Sequence, residues 1–401
     1  KRERTTIFAS TIDSDVRRAN LNTMSSPKDN KESEEGTQKS VTGPLPLDWT
    51  RVQRPPEEEN DDHPVRFPWE VTCIDKNDDE IVIVGTAGQK ITKMGSNLGD
   101  HCNPKLKQLV FRSHLIQTME GIGTFEDLEL LELYDNMIAK LQALDEGCNY
   151  APGFTLKILD MSYNVIRDME PVSSCPNLRE LYLANNKIKS MAGLRNLKHL
   201  VKIDLGANKI RVIEPEELDA LENLEELWLG KNKIEKIEGL TKLTKLRRLD
   251  IQSNRLESVE NLTSQIETLE ELYLAHNGIN DDGASQPTGL GLKFSQLSVV
   301  DLSRNFLTTT KPFAHLTTLD ELWLSGNKIE SFDQISPLST LTALDTVYLE
   351  YNPIADDFEY RKNVKQIIPS LNQIDANLIL GSTAHGFNSV GGKHETHQEQ
   401  M

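Results

Sequence analysis

Residues 224–234 read Leu224-Glu225-Glu226-Leu227-Trp228-Leu229-Gly230-Lys231-Asn232-Lys233-Ile234. The alternation of apolar and polar residues around Leu227 and Leu229 predicts a short strand. Successive side chains alternate across a strand, so Leu227 and Leu229 turn inward while Glu226 and Trp228 share the opposite face. The chain that follows places Ile234, Ile237, Leu240 and Leu243 on a three-residue beat, which suits tight or 3₁₀ turns facing the same core. One such unit cannot bury this apolar set alone, so the reading requires stacked copies.

The copies are there. The template L-x-x-L-x-L-x-x-N-x-I recurs with its asparagine at Asn136, Asn164, Asn186, Asn208, Asn232, Asn254, Asn277, Asn305, Asn327 and Asn352. The spacings of 28, 22, 22, 24, 22, 23, 28, 22 and 25 residues fall within the period of about 20 to 29 that marks leucine-rich repeats. A degenerate copy, Leu106-x-x-Leu109-x-Phe111, precedes them with His114 in the asparagine position. The expected fold is an α/β solenoid of about eleven leucine-rich repeats over 105–352, with short parallel strands on a concave face and 3₁₀ or turn segments on the convex face. An asparagine that turns inward as the chain leaves a strand is tolerable only if its amide meets backbone partners, so the asparagine row is read as architecture.

Outside the array, 1–64 is rich in Ser, Lys, Glu, Asp and Pro and reads as a disordered acidic arm. Residues 65–104 contain the β-like run Glu80-Ile81-Val82-Ile83-Val84 and are expected to cap the first repeat. The two long spacings imply loops off the ribbon at 148–154 and 281–293, the second with three glycines. A C-terminal cap is expected over 353–380, and a flexible tail over 381–401.

With 44 Lys and Arg against 62 Asp and Glu, the formal net charge of −18 repels nucleic acid and favours a partner with basic surface. The longest apolar stretch, Ile81–Val84, is far short of a membrane span. No apolar stretch follows the charged residues at 1–4, which points to cytosol or nucleus. Cys73, Cys102, Cys148 and Cys175 form no CxxC pair, so neither a zinc site nor a disulfide framework is indicated. Gly85-Thr86-Ala87-Gly88-Gln89-Lys90 lacks the spacing of a phosphate loop, and the histidines are scattered. Carboxylates on an open ribbon are expected to lack the enclosure that shifts pKa values, so no catalytic residue, metal, cofactor or small-molecule substrate is assigned.

The informative row is the fifth template position, at the middle of the exposed strand face: Asp160, Tyr182, Asp204, Trp228, Asp250, Tyr273, Asp301, Trp323 and Tyr348. Acid and aromatic alternate over the first eight. With strands about 4.8 Å apart, carboxylates recur roughly every 10 Å with a ring between each pair. β-propensity explains each aromatic singly but not the alternation. Exposed rings anchor interfaces, and neighbouring carboxylates suit Arg and Lys of a partner.

Several repeats carry a family resemblance: LYLANNKI (181–188), LWLGKNKI (227–234), LDIQSNRL (249–256), LYLAHNGI (272–279), TVYLEYNP (346–353) and PSLNQIDA (369–376). Over about 105–380 the chain resembles the leucine-rich-repeat regulatory subunits of protein phosphatase 1, of the regulatory subunit 7 type. That resemblance implies a nuclear and cytoplasmic protein that is not an enzyme. It would hold the phosphatase catalytic subunit on its concave face and regulate its maturation and activity. The contact positions it implies are Asp160, Tyr182, Asp204, Trp228, Tyr273, Asp301, Glu321, Trp323 and Tyr348. Tyr182 and Trp228 stand where the family pattern leads one to expect Phe, and Asp204 where it leads one to expect Glu. A second docking element, Val65-Arg66-Phe67, has the V-x-F form used by many phosphatase regulators, but His63 and Pro64 replace the basic residues wanted before it. The alternative reading is a scaffold of axonemal or spliceosomal type that binds a motor or a ribonucleoprotein.

Overall fold

The computed structural model describes residues 77–84, 90–95, 98–144 and 154–379. The expected arm at 1–64, Val65-Arg66-Phe67, the loop at 148–154 apart from Phe154, and the tail at 381–401 lie outside these residues. Each repeat contributes one strand of three or four residues to a single open sheet, which ends in two strands of two residues, with strands in chain order and every neighbouring pair parallel except the last. The strands are β1 (Ile81–Val84), β2 (Gln108–Phe111), β3 (Leu130–Glu132), β4 (Ile158–Asp160), β5 (Glu180–Tyr182), β6 (Lys202–Asp204) and β7 (Glu226–Trp228). They continue as β8 (Arg248–Asp250), β9 (Glu271–Tyr273), β10 (Val299–Asp301), β11 (Glu321–Trp323), β12 (Thr346–Tyr348), β13 (Gln373–Ile374) and β14 (Asn377–Leu378). The β-like run near the start of the array is not a separate layer. β1 pairs in parallel with β2 and extends the same sheet.

The core is one row of template leucines and isoleucines per repeat. Leu224, Leu227, Leu229, Ile234, Ile237, Leu240 and Leu243 are all buried, so the return path faces the strand as the three-residue beat predicts. Seen along the axis, the convex side is built from turns and short 3₁₀ segments such as Glu170–Ser174 and Ser336–Thr340.

The asparagines form the expected ladder with one geometry. Asn232 Nδ2 donates to the carbonyls of Leu205, Leu229 and Gly230 at 2.9, 3.0 and 3.3 Å, while its Oδ1 accepts from Ile210 N–H at 3.0 Å. Each side chain thus ties its own turn to the previous repeat. The residue before it sits in the left-handed region, at φ 52 to 60° in Ala207, Lys231, Ser253, His276 and Tyr351 among others. That conformation is strained for L-residues and is held by the surrounding turn. In the degenerate first copy His114 does the same work: its Nε2 lies 3.0 Å from Val84 O and its Nδ1 accepts from Ile91 N–H at 3.3 Å. At the far end Asp375 accepts from the N–H groups of Leu349 and Glu350 at 2.8 and 3.0 Å, where no further repeat supplies a carboxamide. Tyr360, on the helix Tyr360–Ile367 that covers this end, donates to Asp375.

One expectation fails. Residues 281–293 do not project from the ribbon but pack on its convex side, with Ala284 and Leu290 buried. Asn280 caps a short helix, Asp281–Ala284, by accepting from Gly283 N–H at 2.8 Å. Gly283 and Gly289 lie so near the carbonyls of Glu257 and Val259 that a Cβ would come within 2.0 and 1.8 Å of them. The glycines there allow backbone to touch backbone, which their reading as loop residues missed.

Candidate functional site

The nine residues that the sequence assigns to a docking site all lie on the sheet, eight in one row and Glu321 two residues before Trp323. Cα partners run Glu132↔Asp160↔Tyr182↔Asp204↔Trp228↔Asp250↔Tyr273↔Asp301↔Trp323↔Tyr348 without a slip in register. The row therefore gains one residue, Glu132, which is buried and held by a two-pronged contact from Arg112, with Nη2 to Oε2 at 2.7 Å.

The two residue types in the row do different things. Each aspartate folds back on its own strand exit and accepts the N–H two residues on: Ser162 to Asp160, Gly206 to Asp204, Gln252 to Asp250 and Ser303 to Asp301, at 2.8 to 2.9 Å. Each aromatic before Tyr348 instead donates to a glutamate two residues earlier. Tyr182 reaches Glu180 at 2.7 Å, Trp228 reaches Glu226 at 3.4 Å, Tyr273 reaches Glu271 at 2.6 Å and Trp323 reaches Glu321 at 3.0 Å. Tyr348 breaks this rule by accepting from Gln373 Nε2 at 2.9 Å, and its ring lies 5.3 Å from that of Trp323.

Flanking rings strip water from the carboxylates. Burial pushes the Asp204 carboxyl up to about 7, against one hydrogen bond from Gly206 that pulls it down, and repulsion from Asp250 and Asp160 adds to the rise. Asp160 and Asp250 are pushed to about 6, chiefly by burial, and Asp301 is raised for the same reason. The expectation that carboxylates on an open ribbon keep ordinary pKa values is therefore wrong. It treated the face as solvated, whereas a ring on each side of Asp204, Asp250 and Asp301, and Tyr182 with buried Glu132 beside Asp160, wall the carboxylates off.

Sequence reasoning singled out Glu321 but missed Glu180, Glu226 and Glu271, although the same E-L-aromatic triplet marks all four. It also missed the basic residues that interleave with them. Lys202 pairs with Glu226 at 2.9 Å, and Arg248 pairs with Glu271 at 2.7 Å while lying 5.2 Å from the centre of the Trp228 ring. Among the described residues no group of three or more His, Cys, Asp or Glu side chains is placed to hold a metal ion, and no helix is long and apolar enough to cross a membrane. Cys102 and Cys175 are buried; Cys73 and Cys148 lie outside the described residues.

An open parallel sheet of in-register, asparagine-tied repeats decides the architecture. The fold is a leucine-rich-repeat solenoid. Leucine-rich-repeat families match residues 154–196, 176–234, 198–256 and 265–285. A solved leucine-rich-repeat protein of Leptospira interrogans superposes with a TM-score of 0.58 at 21% identity, covering 71% of this chain and 76% of that one. Among curated relatives, the protein phosphatase 1 regulatory inhibitor subunit PPP1R7 homolog of Arabidopsis thaliana is 38% identical over 116 residues, 27% of this chain and 33% of that protein. The protein phosphatase 1 regulatory subunit SDS22 of Schizosaccharomyces pombe is 45% identical over 69 residues, 16% of this chain and 21% of that one. Adenylate cyclase of the same yeast is 31% identical over 276 residues, 64% of this chain but 15% of the cyclase. The chain thus spans a third or less of the length of each of these relatives.

Proposed function

We propose that this leucine-rich-repeat protein is a non-catalytic regulatory subunit that binds the protein phosphatase 1 catalytic subunit through the concave row and regulates its maturation or activity in nucleus and cytoplasm. The observation that carries a docking role is the set of aspartates at raised pKa, of which Asp204, Asp250 and Asp301 each stand between two aromatic rings. Such carboxylates cost stability in the free protein, and an Arg or Lys of a partner reaching between the rings would offset that cost. The choice of partner rests on the short stretches shared with phosphatase 1 regulatory subunits. The stretch shared with the cyclase falls on repeats and covers little of that enzyme, so it favours no catalytic role here.

The test is a capture experiment with the immobilised full chain and purified phosphatase 1 catalytic subunit, alongside a lysate. Retention of the purified subunit at micromolar concentration or below supports the reading. No retention, with dynein or spliceosomal proteins recovered from the lysate instead, would replace it with the axonemal or spliceosomal scaffold.

A further inference from the structure

Past the asparagine turn, outside the concave sheet, lies a surface that the docking reading leaves unused. The residue after each asparagine is Lys187, Lys209, Lys233 and then Arg255 in four consecutive repeats. Their backbone N–H groups donate to the carbonyls of Ile166, Ile188, Ile210 and Ile234 of the repeat before, each at 2.8 Å. This second ladder keeps the four cations in register. Three residues after Asn164, Asn186 and Asn208, Arg167, Lys189 and Arg211 form a parallel exposed column.

In a chain with such an excess of acid, cations should find partners, and on the opposite edge of the sheet three of the four cations directly before a strand do, Arg179 being the exception. Lys107, Lys157 and Arg247, each directly before a strand, hold Glu80, Glu129 and Glu270 at 2.7, 2.6 and 2.7 Å. On the trailing edge, Arg167, Lys187, Lys189, Lys209, Arg211 and Lys233 make no ion pair or side-chain hydrogen bond with any described residue. The nearest carboxylates in sequence are already engaged: Asp168 accepts from Glu170 N–H at 3.0 Å, and Glu235 lies 3.8 Å from Arg255.

We propose that this trailing edge is a second protein-binding surface, which takes an extended acidic peptide segment running across the repeats. The form of the strip argues for that occupant. Repeats step by about 5 Å along the sheet and an extended chain rises about 3.3 Å per residue, so carboxylates three residues apart meet cations two repeats apart. The strip is two cations wide only across the Asn186 and Asn208 repeats and narrows to one where Glu235 and Glu257 take the second column. The rest of the molecule carries net negative charge that repels a dense polyanion such as nucleic acid. The surface is separate from the concave row, so both partners can be held together.

The experiment uses the full chain and a fluorescein-labelled deca-glutamate peptide, read by anisotropy at low salt and at about 0.15 M salt. Saturable binding that weakens with salt is expected. The triple variant Lys187→Glu, Lys209→Glu, Lys233→Glu should lose about tenfold or more in affinity. The corresponding glutamine variant should lose less and guards against misfolding caused by charge reversal. Changing Lys107 and Lys157 to Glu on the opposite edge should leave binding unaltered, as should Trp323→Ala on the concave face. The proposal fails if the peptide does not bind, if the opposite-edge variant loses as much as the triple variant, or if a DNA duplex of equal charge binds more tightly. Capture of the phosphatase subunit by the triple variant should equal that of the parent chain. The two surfaces can therefore fail independently.

Discussion

The asparagine ladder and the concave row run the length of the same array, yet one keeps a single residue type and the other alternates. In the ladder the carboxamides are saturated: three carbonyls accept from the Nδ2 of each of Asn186, Asn208 and Asn232, and one N–H reaches each Oδ1. In the row Asp204 and Asp250 carry one and two hydrogen bonds and sit between rings at a pKa that disfavours their charge. Uniformity follows where a residue only builds, because the same minimum recurs in every repeat. Alternation at a cost marks positions kept for something outside the molecule.

Removing a rung of the ladder should have the largest effect on stability. Asn232→Ala strands Ile210 N–H and takes one donor from the carbonyls of Leu205, Leu229 and Gly230, which keep Asn208, Asn254 and Ala207 as partners, and is expected to destabilise the array by about 1 to 3 kcal/mol in urea unfolding. An unchanged unfolding midpoint would mean that the ladder is not what joins the repeats.

A second joint on the convex side should respond to acid. Glu217 is buried and its Oε2 accepts the backbone N–H groups of Gly193, Leu194 and Arg195 at 3.0 to 3.1 Å, while Oε1 receives the Arg195 guanidinium. Burial pushes its carboxyl up, but these hydrogen bonds and the Arg195 charge outweigh it and hold the pKa below the usual range. Its contribution is therefore full above the unfolded value near 4.3 and disappears as pH falls through the lower folded value. Glu217→Gln should lower stability by about 2 kcal/mol at pH 7 and by much less near pH 3, measured by chemical denaturation. An equal loss at both pH values would show that charge plays no part.

The row should behave in the opposite sense. Asp204 titrates near 7 when folded and near 3.9 when unfolded, so between those values the folded state binds the extra proton and stability falls as pH rises. Asp204→Asn should flatten that part of the curve and stabilise the protein at pH 8 by about 1 kcal/mol, while weakening capture of the partner. A variant that is both less stable and equally competent to bind would erase the distinction between ladder and row.

Much of this was legible in the residues. The repeat period, the strand face and the buried asparagines follow from spacing and alternation, because each repeat meets its neighbours in the same way. His114 could be placed in the asparagine position by register, but that its two ring nitrogens satisfy the same turn is visible only in three dimensions. The packing of 281–293 was misread because glycines look alike whether they give freedom or allow close approach. The raised pKa of Asp204 was missed because it depends on Tyr182 and Trp228, which lie 22 and 24 residues away in sequence. Only the strand pairing makes them its two walls.

The central claim is that the concave row is the docking surface, and Glu321 with Trp323 tests it most directly. Trp323 donates to Glu321 and packs against Tyr348, so the pair presents ring and charge together near the C-terminal end of the row. The decisive measurement is the affinity of the Glu321→Ala, Trp323→Ala double variant for the purified phosphatase 1 catalytic subunit, taken with its melting curve. The predicted result is a loss of about thirtyfold, roughly 2 kcal/mol, with a stability change of about 1 kcal/mol from the lost contact with Tyr348. A folded double variant that binds with the affinity of the parent chain would contradict the claim.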